Sequence, residues 1–246
     1  MAAMDGTRRL LLLSNGAAPG RELFDHAWEA LAGVLGGARR VAFVPFARAD
    51  HETYTGVIAS ALAPLGVEVI GAHTGADARD VIAGAEAVFV GGGNSFRLLD
   101  ALQRRGLVEL IRTRVGEGMP YIGSSAGTNM ACPSLRTTND MPIVQPASFE
   151  ALGLVPFQIN PHFPAAPAAA NVGETREQRI AEFLEENDVP VVGLREGSWI
   201  EVRGDTARLG GVAEGWLFVR GAGVQPLLVG DDLSALLAVE PRFDRR

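Results

Sequence analysis

An α/β fold is what this sequence predicts, with a mostly parallel sheet in its first half and an antiparallel extension near its C-terminal end. Three observations carry the prediction. Short apolar runs, each closed by Gly, Pro, Asn or Ser, recur up to Gly123 and are too short for helices. The segments between them are long enough for helices and carry apolar residues at three-and-four spacing, which gives one buried stripe. Beyond about residue 188 the runs crowd together with Gly-containing turns between them, as in an antiparallel meander.

In chain order, strands are expected at residues 10–13, 41–44, 67–70, 87–90 and 121–123. Amphipathic helices are expected at residues 23–35, 53–65 and 96–115. As right-handed crossovers they would cover both faces of the sheet, and a ligand site would then lie beyond the carboxyl ends of the strands. A small, helix-compatible segment, 126–131, follows the fifth strand. The Pro- and Ala-rich stretch 161–173 reads as an irregular loop. Strands at 191–194, 199–202, 207–209, 216–219 and 226–229 complete the pattern as a meander that extends or flanks the parallel sheet.

The 246 residues provide enough chain for a sizeable core, and no Ser/Pro/Gly linker divides them, so residues 1–246 are expected to form one domain. The 22 basic residues against 29 acidic ones leave a formal net charge of −7. That balance argues against a broad footprint for nucleic acid or an anionic membrane, and neither is expected as a partner. Every basic residue is Arg, which excludes Schiff-base and P-loop lysine chemistry. Cys132 is the single cysteine, so no internal disulfide can form and a reducing, cytoplasmic setting is expected. The leucines at 10–13 end at Ser14-Asn15-Gly16, too short for a signal peptide, and no run approaches the ~20 residues of a spanning helix.

Gly123-Ser124-Ser125-Ala126-Gly127 joins an expected strand to an expected helix, the setting that a G-x-S-x-G nucleophile elbow requires. Flanking glycines leave room for a sharp bend that aims the Ser125 hydroxyl outward, and the helix start makes the N–H of Ala126 a candidate oxyanion donor. The alternative is a Gly/Ser-rich turn with no chemistry. Gly91-Gly92-Gly93-Asn94-Ser95 closes another strand and opens another helix, so Gly93 is a candidate second donor. The same run lacks the G-x-G-x-x-G phosphate fingerprint.

A serine nucleophile needs a base, and four histidines are available: His26, His51, His73 and His162. The first three fall in amphipathic or strand-end settings typical of surface or packed residues. His162, in Gln158-Ile159-Asn160-Pro161-His162-Phe163, stands where prolines can hold an imidazole at a site edge. The histidines are not paired at helical spacing and Cys132 stands alone, so no zinc site is expected. For the acid that would orient the imidazole, Asp140 in the polar loop after the elbow and Glu196 at a strand end both qualify, and either could instead be an exposed turn acid. Thr175-Arg176-Glu177-Gln178 has the spacing of a capping box, which puts Arg176 in a helix's first turn, where the dipole does not favour a cation. Either it clamps a carboxylate or it is a solvated surface arginine.

Together these segments, with Leu11-Leu12-Leu13-Ser14-Asn15, Phe43-Val44-Pro45-Phe46-Ala47, Arg136-Thr137-Thr138-Asn139-Asp140-Met141-Pro142-Ile143-Val144 and Gly173-Glu174-Thr175-Arg176-Glu177-Gln178, resemble in collinear order the peptidase E family of serine peptidases, α-aspartyl dipeptidases to which cyanophycinase is related. The resemblance implies a three-layer fold like that of class I glutamine amidotransferases, with serine in the place of their cysteine. It also implies hydrolysis of dipeptides and some short peptides that begin with Asp, without a cofactor. By the same resemblance Ser125 is the nucleophile, His162 the base, Asp140, preferred over Glu196, the acid, Gly93 and Ala126 the oxyanion pair, and Arg176 the group that binds the aspartate side chain. Ser124, where the family often has a large residue such as Trp, and the loop 164–171 depart from the pattern. A cyanophycinase-like hydrolase and a nucleotide-binding module are the alternative readings. Monomer and homodimer are equally compatible with the sequence.

Overall fold

The structure is a computed structural model that describes residues 8–18, 20–165 and 173–244. In chain order it contains β1 (Arg9–Leu13), α1 (Trp28–Leu35), β2 (Arg40–Val44), α2 (His51–Leu62), β3 (Glu68–Gly71), α3 (Ala78–Ala83), β4 (Ala87–Val90), α4 (Ser95–Arg104), α5 (Leu107–Gly116), β5 (Tyr121–Ser124) and α6 (Ala126–Ala131). It continues with β6 (Gln158–Phe163), α7 (Arg176–Glu186), β7 (Val191–Arg195), β8 (Ser198–Arg203), β9 (Thr206–Gly211), β10 (Gly215–Phe218) and β11 (Gln225–Leu227).

Seven strands form the main sheet in the order β3-β2-β4-β5-β1-β8-β9. The first five are parallel, and β8 and β9 add antiparallel strands at the β1 edge. Alternation along each strand divides the interior in two. Leu11, Leu13, Val41, Phe43 and Phe89 pack on one face with residues of α1 and α2. Leu10, Leu12, Ala42, Val44, Val88 and Val90 pack on the other with residues of α4, α5 and α6. This period-two division is what places helices on both faces, as the apolar runs predict.

The expected meander is divided between two sheets, so that part of it extends the parallel sheet and part flanks it. β8 and β9 join the main sheet, whereas β7 and β10 belong to a second sheet of order β11-β10-β7-β6. β7 pairs parallel with β6 and antiparallel with β10, and its residues Val192 and Leu194 face the main core while Val191 faces α7. Local spacing specifies each strand but not which sheet accepts it, because partner choice is decided by packing between distant segments.

Three smaller differences have local causes. The expected helix 96–115 is two helices, α4 and α5, broken at Gly106, whose φ is 64°. The helix expected from residue 23 begins at Trp28, after Phe24 takes a left-handed conformation and a short 3-10 turn follows. Within the stretch expected to be an irregular loop, Pro161, His162 and Phe163 belong to β6, an edge strand that tolerates proline, with a register shift between Pro161 and Phe163. Residues 166–172 of that stretch lie outside the described residues.

Candidate active site

Ser125 sits between β5 and α6, at the carboxyl end of a central strand flanked by β4 and β1. Its backbone has φ 55° and ψ −110°, a strained combination for a residue with a side chain, worth on the order of 1–3 kcal/mol. Neighbours hold it there. The Ser125 N–H donates to the Leu13 carbonyl at 3.0 Å, and the Ser125 carbonyl accepts from Thr128 and Asn129 at 2.8 and 3.0 Å. Gly127 is required for space: a Cβ there would lie 2.0 Å from the Val90 carbonyl oxygen. Helix and strand therefore meet as closely as backbone permits, and the side chain of Ser125 has no direction left but outward.

The imidazole comes from the second sheet. Ser125 Oγ and His162 Nε2 are 2.7 Å apart. His162 also has positive φ, 54°, at the register shift of β6, and this turns its ring away from the strand's regular alternation. Backbone restraints fix the residue. Its N–H donates to Ser14 Oγ at 2.9 Å, and its carbonyl accepts from Arg176 Nη1 at 2.7 Å.

On the far side of the ring, His162 Nδ1 lies 2.8 Å from Glu196 Oε1. Glu196, and not the preferred Asp140, is thus the carboxylate beside the imidazole. Asp140 Oδ2 accepts instead from the N–H and Oγ of Ser95, at 2.7 and 2.5 Å, at the start of α4. The physical reason is that a helix start offers unpaired N–H groups and a favourable dipole for an anion. The polar Thr138 loop serves the same cluster, because Thr138 Oγ1 donates to Ser95 Oγ at 3.0 Å. Glu196 reaches His162 because β7 and β8 lie in different sheets, and the short link between them brings the carboxylate over the seam.

Two residues beyond β1 organise that seam without having been recognised from the sequence. Ser14 Oγ donates to the Leu194 carbonyl at 2.8 Å while it accepts from His162 N–H. Asn15 Oδ1 accepts from Gly197 N–H at 2.9 Å, immediately after Glu196. The only signal available in the sequence is a polar Ser-Asn pair at the carboxyl end of a central strand.

Gly93 lines the same space, and Ala126 directly follows Ser125. In the run from Gly91 to Asn94, the N–H groups of Gly91, Gly92 and Asn94 donate to the Val44 carbonyl, Tyr54 Oη and the Ala47 carbonyl. Among the described residues, no protein acceptor is found for the Gly93 N–H. Gly93 has φ 140°, and a Cβ would lie 2.5 Å from the Ala47 carbonyl oxygen, so only glycine fits. Ala126 begins α6, where an N–H has no acceptor within the helix. The cavity at this point has a volume of about 560 Å³ and is lined by Gly92, Gly93, Ser124, Ser125, Asp140 and His162, together with Asn15, Arg48 and Tyr54.

Arg176 opens α7 behind a complete capping box formed by Thr175 and Gln178. The guanidinium is half-buried, and its Nη1 donates to the carbonyls of Pro161 and His162 at 2.9 and 2.7 Å. Burial lowers its pKa first and Arg179 second, while Asp140 and Glu196 act in the opposite direction. His26, His51 and His73 lie away from this seam. His26 is buried in the 3-10 turn before α1, and His73 pairs through Nε2 with Glu52 at 3.0 Å. Among the described residues no group of three or more His, Cys, Asp or Glu side chains is arranged to hold a metal ion. No described helix is long and apolar enough to cross a membrane.

Residues 10–210 match the model of peptidase family S51. The chain is 58% identical over 236 residues to peptidase E of Streptomyces coelicolor, a match covering 96% of this chain and 97% of that one. It is 50% identical over 224 residues to peptidase E of Citrobacter koseri, covering 90% of this chain and 98% of the relative. In fold it is similar to the crystal structure of a peptidase from an acI-B1 Actinobacterium, with a TM-score of 0.69 at 18% identity, over 93% of this chain and 98% of that one.

Proposed function

This chain belongs to peptidase family S51, and from that premise we propose that it hydrolyses the peptide bond after an N-terminal aspartate, in dipeptides and short peptides, through an acyl-enzyme on Ser125. The observation that carries the reading is the unbroken relay from Glu196 to His162 to Ser125, at 2.8 and 2.7 Å.

Glu196 accepts a hydrogen bond from the Nδ1–H of His162, which leaves the Nε2 lone pair facing the serine. His162 takes the Ser125 proton as the oxygen attacks the first peptide carbonyl. The tetrahedral oxyanion receives hydrogen bonds from the N–H groups of Gly93 and Ala126. Collapse breaks the C–N bond, and the imidazolium returns its proton to the leaving amine. Water, deprotonated by the same imidazole, then cleaves the ester and releases aspartate.

Recognition of the aspartate side chain is assigned to Arg176, which is not among the residues lining the cavity but is held against His162, which is. Its half-buried charge, restrained through one nitrogen by the carbonyls of β6, keeps other guanidinium donors for a carboxylate. A substrate without that carboxylate would leave a desolvated cation unpaired, and this penalises the wrong peptide more than any lost contact. Asp140 serves as the anchor of α4, and its negative charge borders the cavity where a substrate ammonium would enter.

Ser125→Ala tests the reading. Hydrolysis of Asp-Leu should disappear while circular dichroism and melting temperature stay unchanged. Activity retained within about tenfold of wild type would remove Ser125 from the nucleophile's role. Faster turnover of a β-Asp-Arg dipeptide than of Asp-Leu would transfer the enzyme to aspartate-backbone polymers.

A further inference from the structure

Arg48 is the one arginine lining the active-site cavity among the described residues, and the chemistry above makes no use of it. It lies on the turn between β2 and α2, where its N–H donates to the Pro45 carbonyl at 3.1 Å. The guanidinium stands 4.0 Å from the ring centroid of Tyr54. Tyr54 is a fixed platform. Its ring meets Phe43 edge-on, with centroids 5.0 Å apart, and its Oη accepts the Gly92 N–H at 2.8 Å. Stacking restricts the long arginine side chain yet leaves the in-plane N–H donors unspent. Arg48 is solvent-exposed, and among the described residues no carboxylate pairs with it.

Gly92 and Tyr54 link Arg48 to the nucleophile. Gly92 touches both sides of the arrangement: it bonds Tyr54, and a Cβ placed on it would lie 3.0 Å from Ser125 Cβ. Ser125 and Arg48 are therefore separated by one glycine and one tyrosine ring. In a dipeptide the free carboxylate lies one residue past the scissile carbonyl, about 3.5 Å of extended chain. A chain of net charge −7 needs a local cation to hold such an anion.

We propose that Arg48 binds the free C-terminal carboxylate of the dipeptide's second residue and thereby sets the preference for dipeptides over longer peptides. This deepens the aspartyl-dipeptidase reading and rests on it. In a longer peptide that position carries an uncharged amide, and the next carboxylate lies a further residue away. Arg176 and Arg48 then divide the substrate's two carboxylates, one reading the side chain and the other the chain end.

Steady-state kinetics of the wild type, Arg48→Ala and Arg48→Lys on Asp-Leu and on Asp-Leu amide test the assignment. The wild type should favour Asp-Leu by roughly tenfold or more in kcat/KM, mainly through KM, as expected for a charge-assisted contact. Arg48→Ala should bring Asp-Leu down to the level of the amide and leave amide turnover as it was, with Arg48→Lys recovering part of the preference. Equal loss on both substrates overturns the proposal, because Arg48 would then grip the aspartate side chain or support the fold. Undiminished Asp-Leu turnover in Arg48→Ala overturns it as well and leaves the dipeptidase reading standing. A wild type that cleaves neither substrate brings down the dipeptidase reading and this proposal with it.

Discussion

The two halves of the catalytic seam are built by different means. On the side of Ser125, backbone packs against backbone: β5 and α6 meet at Gly127, the surrounding strands are fully buried, and a strained φ/ψ pair is held by hydrogen bonds from β1 and within α6. On the side of His162, side chains do the holding. Ser14, Asn15 and Arg176 each restrain backbone of the second sheet or its connections, and the imidazole and Glu196 side chains remain 39% and 47% exposed. Ser125, the proposed nucleophile, is thus fixed by backbone packing at the centre of the main sheet, whereas His162 and Glu196, the proposed base and acid, are fixed by side-chain hydrogen bonds across the seam. Apart from the Ser125 hydroxyl itself, changes on the first side should cost mainly stability, and changes on the second should cost mainly rate.

The largest expected effect is on rate. Glu196→Gln should lower kcat roughly 100-fold or more with an unchanged melting temperature, since the imidazole loses the partner that holds its tautomer and stabilises its charge. Asp140→Asn should act the other way, weakening the start of α4 by about 1 kcal/mol and affecting kcat far less. If Asp140→Asn abolished kcat while Glu196→Gln spared it, the division between the two sides would be wrong. Stability comes next. Gly127→Ala forces a Cβ against the Val90 carbonyl and should destabilise by about 3 kcal/mol or prevent folding, as read by chemical denaturation. A fully stable Gly127→Ala protein would show that the nucleophile side is looser than its geometry. The smallest effect is at Cys132, whose thiol burial pushes up to about 12. Its thiolate is therefore scarce at neutral pH, and iodoacetamide should leave both the native thiol and the activity intact; rapid alkylation would reveal opening of the core beneath α6.

Much of this arrangement is legible in the sequence where its cause is local. The elbow at Ser125 follows from glycines around a serine between a strand and a helix, and the cap of α7 follows from Thr175 and Gln178 three positions apart. The parallel strands follow from apolar runs that are buried on both faces. What is not legible depends on partners distant in the chain. Glu196 and Asp140 are equally plausible acids until β7 and β8 are assigned to different sheets, an outcome that no spacing within residues 191–203 encodes. Ser14 resembles an ordinary strand terminator, although its hydroxyl bonds residues 148 and 180 positions away. Arg48 and Tyr54 carry no motif at all, and their place beside Gly92 arises only when α2 folds against the sheet.

Glu196 and Gly197 form the two-residue link through which the chain leaves one sheet and enters the other. A carboxylate on such a link belongs to neither hydrogen-bond ladder, so exchanging it breaks no strand pairing and empties no core. The serine has no such freedom, because relocating it would mean rebuilding the centre of the main sheet. The apparatus therefore has one immovable member and one interchangeable member, and the power of the reaction can be adjusted at the second without renegotiating the architecture that fixes the first.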